Sequence, residues 1–338
     1  MPSSQNATRK HHYVPVFYQT YFTNSNGLLW VYDRQLKTWK EVHPSRICAQ
    51  TDLYAVETEK GTVDRRVETE VLSKIDGLSA GAFSRLVKGE WKSPSPELLG
   101  AIIFFAALQN TRVPANREFI SRTFEGFVSD YMEVAFGTLE HAKASISNYE
   151  RTTGKKFGVT PESLVETVKR KGVRIVATET PFIESVLKDT FMIAEVFQSL
   201  DVKLLVSPPQ VGFILCDTPV TLVPPPKVQT AGFLSPGTFT FMPLTRRLCL
   251  RLGPQGSGFA LQPIEREEVR FINQNTAINS ERFVMGPERI QLDSVIRRSG
   301  ASKPSTVPRW KQIKIPDNKG GIMRMIQFVP RGTHYLSL

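Results

Sequence analysis

The sequence predicts an α+β fold: an N-terminal hairpin, a largely helical middle, and a C-terminal, mostly antiparallel sheet with a late helix. Three observations carry this expectation. Around Leu28 to Val42 the pattern alternates at a period of two. From Val63 to about Leu200 apolar residues recur at steps of three and four. Beyond Val202 the chain becomes short apolar runs split by Pro and Gly.

Residues 11–22 alternate aromatic and polar groups around Pro15. In the hairpin, Leu28, Trp30 and Tyr32 alternate with Leu29, Val31 and Asp33. Gln35 to Thr38 can turn, and Trp39, Glu41 and Val42 can return. Leu53 to Val56 is a further short strand candidate. Val67, Val71, Leu72, Ile75, Leu78, Phe83 and Leu86 then trace one helix face. Ser95-Pro96-Glu97 opens a second helix, with Ser95 at the N-cap and Pro96 in the first helical position. Leu98 to Leu108 is apolar on every side, which predicts a central helix. Pro114 is expected to interrupt or kink it, and Phe119 to Ile146 continues in helical period.

Residues 150–160 are polar and read as a loop. Thr160-Pro161-Glu162-Ser163 starts a short helix ending near Gly172, and Phe182 to Leu200 is a further amphipathic helix. Strands are expected at Val202 to Val206, Gly212 to Leu215, Val220 to Val223, Phe239 to Met242 and Leu248 to Leu252. Pro224-Pro225-Pro226 is a stiff loop. Ile264 to Ala277 reads as the late helix, with Glu265, Glu267 and Glu268 at its favourable end. After about Pro304 regular periodicity fades.

At 338 residues and 41% hydrophobic, the chain can bury a sizeable core. Residues 1–288 are expected to form a single globular domain, with room for two subdomains meeting near 150–160. Residues 289–338 are read as a basic tail. No apolar run approaches the ~20 residues a bilayer span requires, and Met1 to Lys10 lacks an apolar leader. Cys48, Cys216 and Cys249 are far apart and form no CxxC pair, which argues against a disulfide framework and a thiolate zinc site. No membrane partner and a cytoplasmic setting are therefore expected.

The net charge is +11, and the segment from Arg289 onward carries ten basic against two acidic residues. Such a field favours polyanions, because phosphate contacts release counterions. Arg309, Lys311 and Lys314, close together around Trp310, are the candidate nucleic-acid-binding residues. The competing reading is a solvated tail that aids solubility.

His11-His12-Tyr13-Val14-Pro15-Val16-Phe17-Tyr18, followed by Phe22, resembles the bacterial family catalogued as domain of unknown function 4238. Gln109, Arg112 and Pro114 are similar to its Gln-x-x-Arg-x-Pro pattern. The run Phe213 to Val220, containing Asp217-Thr218-Pro219, looks like its strand ending in Ser-Asp-x-Pro, with Cys216 departing from the Ser. Phe241-Met242-Pro243-Leu244-Thr245 looks like its Phe-Pro-Leu-Ser segment, and Asn273 matches a helical Asn. The resemblance covers roughly residues 10–285 and implies a fold and a site without an established activity.

The residues themselves suggest chemistry. His11 and His12 could activate water or bind a metal, since His titrates near neutrality. A similar His-His-x-x-Pro string supplies the base in some metal-dependent nucleases, although the metal-binding helix those enzymes need is missing here. Alternatively, one ring stacks in the cluster of Tyr13, Phe17, Tyr18 and Tyr21. Asp217 at a strand end either faces a site or closes a turn. Gln109 and Arg112 share a helix face. An Arg on an apolar helix calls for a partner, either a substrate phosphate or an internal carboxylate such as Asp217. Glu68 and Asp76, eight apart, share a face and read as solvated.

No phosphate-binding Gly loop, nucleophile elbow or His-Glu-x-x-His is present. The expected function is a nucleic-acid-directed hydrolase, a nuclease of the kind used in phage defence or as a toxin, with the cofactor unassigned and a divalent metal left open. The alternative is a non-enzymatic binding or sensing module in which the same His, Asp and Arg groups are structural.

Overall fold

A computed structural model describes residues 10–57, 62–170, 179–226, 228, 231–253, 258–301, 310–316 and 322–328. It is α+β, as the periodicities require. The chain starts with β1 (Lys10–His12), α1 (Val16–Thr20), the hairpin β2 (Leu29–Asp33) and β3 (Thr38–Val42), and β4 (Ala49–Thr51). Short β5 (Val56–Glu57) and β6 (Val63–Asp64) lead through a π-helical turn, Val67–Leu72, into α2 (Ser73–Val87). The helical middle continues with α3 (Pro96–Thr111), α4 (Pro114–Phe136), α5 (Leu139–Thr153), α6 (Pro161–Lys169), α7 (Thr180–Glu184) and α8 (Thr190–Gln198). A second π-helical turn, Ser185–Asp189, joins the last two.

The C-terminal part comprises β7 (Asp201–Val206), β8 (Leu215–Cys216), β9 (Thr221–Val223), β10 (Phe239–Pro243), β11 (Leu248–Gly253), β12 (Gly258–Pro263), α9 (Arg266–Asn279), β13 (Phe283–Gly286) and α10 (Arg289–Ser299). A five-stranded sheet runs β12-β7-β11-β10-β9, antiparallel except where β12 pairs parallel with β7. A four-stranded sheet runs β3-β2-β13-β8, so the N-terminal hairpin joins C-terminal strands in one sheet.

The chain divides into two compact units, residues 1–116 with 183–338, and residues 117–182. The boundary expected at 150–160 lies inside the second unit. In the first unit the core centres on α3, whose Ile102, Phe105, Ala106 and Leu108 are buried. Phe105 packs edge-on against Tyr18 and Phe83, with ring centroids 5.2 and 5.0 Å away. Ser95 caps α3 as its position requires, accepting the Leu98 amide at 3.3 Å with Pro96 behind it. In the second unit, Phe136, Ala142 and Val165 form a smaller core. Thr138 and Thr160 cap its helices, and Gly154 ends α5 at φ +69, a left-handed value suited to glycine.

Pro114 interrupts the helical run as expected: α3 ends at Thr111 and α4 starts at Pro114, whose missing N–H costs nothing in a first turn. Three other expectations change. The helix expected over Phe119 to Ile146 is two, broken between Phe136 and Leu139. The segment after Arg289 is not all tail: α10 buries Leu292, Val295 and Ile296 against Tyr32, Ile214 and Val284. Buried Arg34 fastens that region, its Nε donating to the Ala301 carbonyl at 2.7 Å and its Nη1 to the closing carbonyls of α9. Beyond Pro304, where periodicity was expected to fade, β14 (Trp310–Pro316) and β15 (Ile322–Phe328) pair antiparallel with each other.

Candidate functional site

Four segments far apart in sequence meet around Arg112. This guanidinium sits at the C-cap of α3 and is fully buried. Its two terminal nitrogens grip Asp76 of α2, Nη1 to Oδ1 at 2.6 Å and Nη2 to Oδ2 at 3.2 Å. Nη2 also donates to the backbone carbonyl of His12 at 2.9 Å. Tyr54 completes the cage: its hydroxyl donates to the Arg112 carbonyl at 2.7 Å, and its ring lies 5.9 Å from the guanidinium carbon. A buried Arg without a carboxylate would be prohibitive. The internal ion pair is therefore what the apolar helix demands, but its partner is Asp76, 36 residues upstream, and not Asp217.

The two histidines take different roles. His11 is fully buried, stacked on Tyr54 at 5.8 Å with ring planes 9° apart, and its Nδ1 accepts the Tyr54 amide at 3.4 Å. This is the structural alternative, with Tyr54 as the stacking partner in place of the predicted Tyr13–Tyr21 cluster. His12 is partly exposed, and its Nε2 meets the Ser45 carbonyl at 3.1 Å. Burial lowers its pKa below the ordinary 6.5, the Ser45 carbonyl opposes this, and the charges of Lys10 and Arg112 push the same way as burial. At neutral pH the ring is thus poised as a neutral base.

Glu68 lies in the π-helical turn before α2. Burial raises its pKa to about 7; Arg112 pulls it down and Asp76 pushes it up. Its Oε2 is buried with no hydrogen-bond partner among the described residues. Gln109, one turn before Arg112 on the same helix face, is buried with both amide atoms likewise unpartnered. Unsatisfied buried groups of this kind are uncommon; of these two, Glu68 lies in the field of the Arg112–Asp76 pair.

Backbone geometry around the site is unusual. Cys48 and Asp52, which bracket β4, adopt φ of 54 each, left-handed conformations that are uncommon for Cys and better tolerated by Asp. β4 holds the histidines in place by pairing His11 with Gln50 and His12 with Ala49. Asp52 is fixed by Arg65 Nε at 2.7 Å, which fastens the turn carrying Tyr54 to the segment leading into Glu68. π-helical turns also concentrate at functional positions.

Asp217 makes its hydrogen bonds outside this cluster. Its two carboxylate oxygens accept the amides of Glu281 and Arg282, each at 2.8 Å, and its own amide donates to Phe283 at 3.1 Å. It fastens the connection from α9 into β13, 64 and 65 residues on, and not the amides that follow it in its own turn. Burial and the Glu281 charge raise its pKa to about 6, and those amides oppose the rise. Its field reaches Tyr13 and Cys48, the closest electrostatic link to the His-His strand. Other motif residues also knit the fold: Asn273 accepts the Ile214 amide at 3.0 Å and donates to Gly212 at 2.9 Å, and the Tyr18 hydroxyl donates to the Pro243 carbonyl.

Of the residues the sequence singled out, the structure joins Arg112 to the His12 carbonyl, while Asp217 bonds the amides of Glu281 and Arg282 instead. Sequence reasoning missed Tyr54 and took Glu68 and Asp76 as solvated; their eight-residue spacing on one face was the available signal. No cluster of three or more metal-ligating side chains occurs among the described residues. Of the basic trio, Lys311 pairs with Gln327 and Lys314 with Arg324 in the β14–β15 register, and Arg309 lies outside the described residues.

Residues 10–289 match the family described as "Protein of unknown function (DUF4238)". No curated protein and no solved structure matches the chain. The chain belongs to the DUF4238 family.

Proposed function

We propose that this member of the DUF4238 family is a nucleic-acid-directed hydrolase whose reacting groups are Glu68 and His12. One observation supports this above the others. Glu68, a carboxyl with a buried oxygen unpartnered among the described residues, lies in the field of an Arg112–Asp76 pair that also holds the strand bearing His12. Phosphodiester hydrolysis needs a base for the attacking water and an acid for the leaving alkoxide, each best served by a pKa near the working pH. Glu68, at about 7, meets this requirement, and His12, lowered below the ordinary 6.5 by burial, supplies a neutral imidazole. Arg112 is a positioning residue here: with its guanidinium committed to Asp76 and His12, it orients the site instead of gripping phosphate. Substrate attraction falls to the basic excess of the chain, most of it after Arg289.

The second reading is a binding or sensing module. It draws on the satisfaction of His11, Arg112 and Asp217 by internal partners. The two readings separate in one assay. Labelled RNA and DNA are incubated with the purified chain, with and without divalent metal, alongside Glu68→Gln and His12→Ala. Cleavage lost in both variants supports the hydrolase. Binding without cleavage, unchanged in both variants, supports the module.

A further inference from the structure

At the far end of α2 a groove of about 390 Å³ opens between that helix, the 3-10 turn Glu90–Lys92 and the ends of β7 and β11. Tyr21 and Trp91 supply aromatic walls, and Leu86, Val206 and Leu248 an aliphatic floor. The polar contribution comes from one turn, Thr245-Arg246-Arg247. We infer that this groove binds a small anionic amphiphile, an apolar body of about a dozen non-hydrogen atoms with a carboxylate head at that turn.

The volume falls within the roughly 300–1,000 Å³ of ligand pockets. At about 30 Å³ for each water-sized group it holds about a dozen such groups. The charge is one-sided. Arg247 is exposed, with no carboxylate partner among the described residues. Arg246 meets Glu288 only loosely, at 3.5 Å. Lys92 adds a further cation 5.9 Å from the Trp91 ring centre.

The turn presenting these groups is held rigidly. The Arg246 carbonyl accepts the Phe213 amide at 2.9 Å and the Ser207 hydroxyl at 3.4 Å, and the Arg247 carbonyl accepts the Ser207 amide at 3.0 Å. Thr245 Oγ1 accepts the amides of Arg247 and Leu248, both at 3.1 Å. Its own proton has no acceptor among the described residues, and this nearly buried hydroxyl lines the groove. An arginine without a carboxylate partner among the described residues, a second held only loosely by Glu288, and the Thr245 hydroxyl, all on one fixed turn that lines an apolar floor, match a carboxylate joined to a hydrocarbon. An apolar ligand alone would not require them.

The groove is separate from the Glu68–His12 site. Leu86 lies ten residues beyond Asp76 on α2, about 15 Å along the helix at 1.5 Å per residue. The inference therefore stands or falls without the proposed hydrolase activity.

The test is calorimetric titration of the full chain with decanoate, below its micellar concentration, and with decanol. Variants are Arg247→Gln, the double Arg246→Gln/Arg247→Gln, and Val87→Trp, which narrows the mouth. Thermal melting confirms that each is folded. Saturable one-to-one binding of decanoate is expected, with decanol at least tenfold weaker. The double variant should weaken decanoate at least tenfold and leave decanol unchanged, and Val87→Trp should weaken both. Absence of saturable decanoate binding, equal affinity for decanol, or indifference to both arginine variants would overturn the inference.

Discussion

Replacing Glu68 by Gln should make the protein more stable at alkaline pH and leave it nearly unchanged in mild acid. The carboxyl has a pKa of about 7 in the fold against an ordinary 4.5. The folded state therefore holds the proton more tightly than the unfolded chain. Its contribution is complete below 4.5 and is lost as pH rises through 7. Between pH 5 and pH 8 the corresponding change in wild-type stability is about 2.5 kcal/mol at most. Solvent reaching the partly exposed side chain brings it to the order of 1–2 kcal/mol. Gln keeps the shape and carries no charge, so this component disappears. Asp217, also raised, slopes the same way, and His12, lowered, slopes the opposite way. The informative quantity is thus the variant-minus-wild-type difference, which cancels both. Urea unfolding at pH 5 and pH 8 measures it. A difference that stays the same at the two pH values would refute the claim that Glu68 is held protonated by its burial.

Arg112→Met should cost about 3–5 kcal/mol in urea unfolding, because it strands Asp76 and frees the His12 carbonyl; a loss under about 1 kcal/mol would deny the ion pair its anchoring role. Asp217→Ala should cost about 1–3 kcal/mol by orphaning the Glu281 and Arg282 amides, and should leave any cleavage rate intact after correction for the folded fraction. If nucleic acid binds through the C-terminal segment, affinity should fall steeply with salt. Neutralising Arg309, Lys311 and Lys314 should flatten the slope by about one for each phosphate that no longer meets a cation; a filter-binding slope unchanged in the triple variant would move the binding surface elsewhere.

Much of the fold was legible because its signals are local. The hairpin of β2 and β3 follows from alternation around Trp30 and Tyr32. Ser95-Pro96 and Thr160-Pro161 mark helix starts through capping chemistry that needs no tertiary context. What escaped depends on distant partners. β13 is four residues long and owes its state to pairing with β2 and β8, some 250 and 70 residues earlier. The π-helical turn at Val67–Leu72 shifts the apolar spacing only slightly from the α period, so it reads as ordinary helix.

The site divides the same way. Arg112 announced itself as a charge on an apolar helix, but nothing local named Asp76 as its partner. Glu68 looked solvated because it shares its turn with Thr69 and Glu70; burial raises its pKa, and Arg112, the charge that most opposes the rise, lies 44 residues downstream. Asp217 had the local marks of a site residue or of a turn, and its partners, the amides of Glu281 and Arg282, lie 64 and 65 residues on, where no local signal reaches.

The proposed hydrolysis of nucleic acid by Glu68 and His12 is tested most directly by the rate of cleavage of labelled RNA and DNA from pH 5 to 9, with and without divalent metal, for wild type, Glu68→Gln and His12→Ala. Cleavage should follow a pH profile that bends near the Glu68 pKa of about 7, with the bend absent and the rate down at least a hundredfold in Glu68→Gln. Cleavage at the wild-type rate in both folded variants, or none by the wild type under any of these conditions, would contradict it.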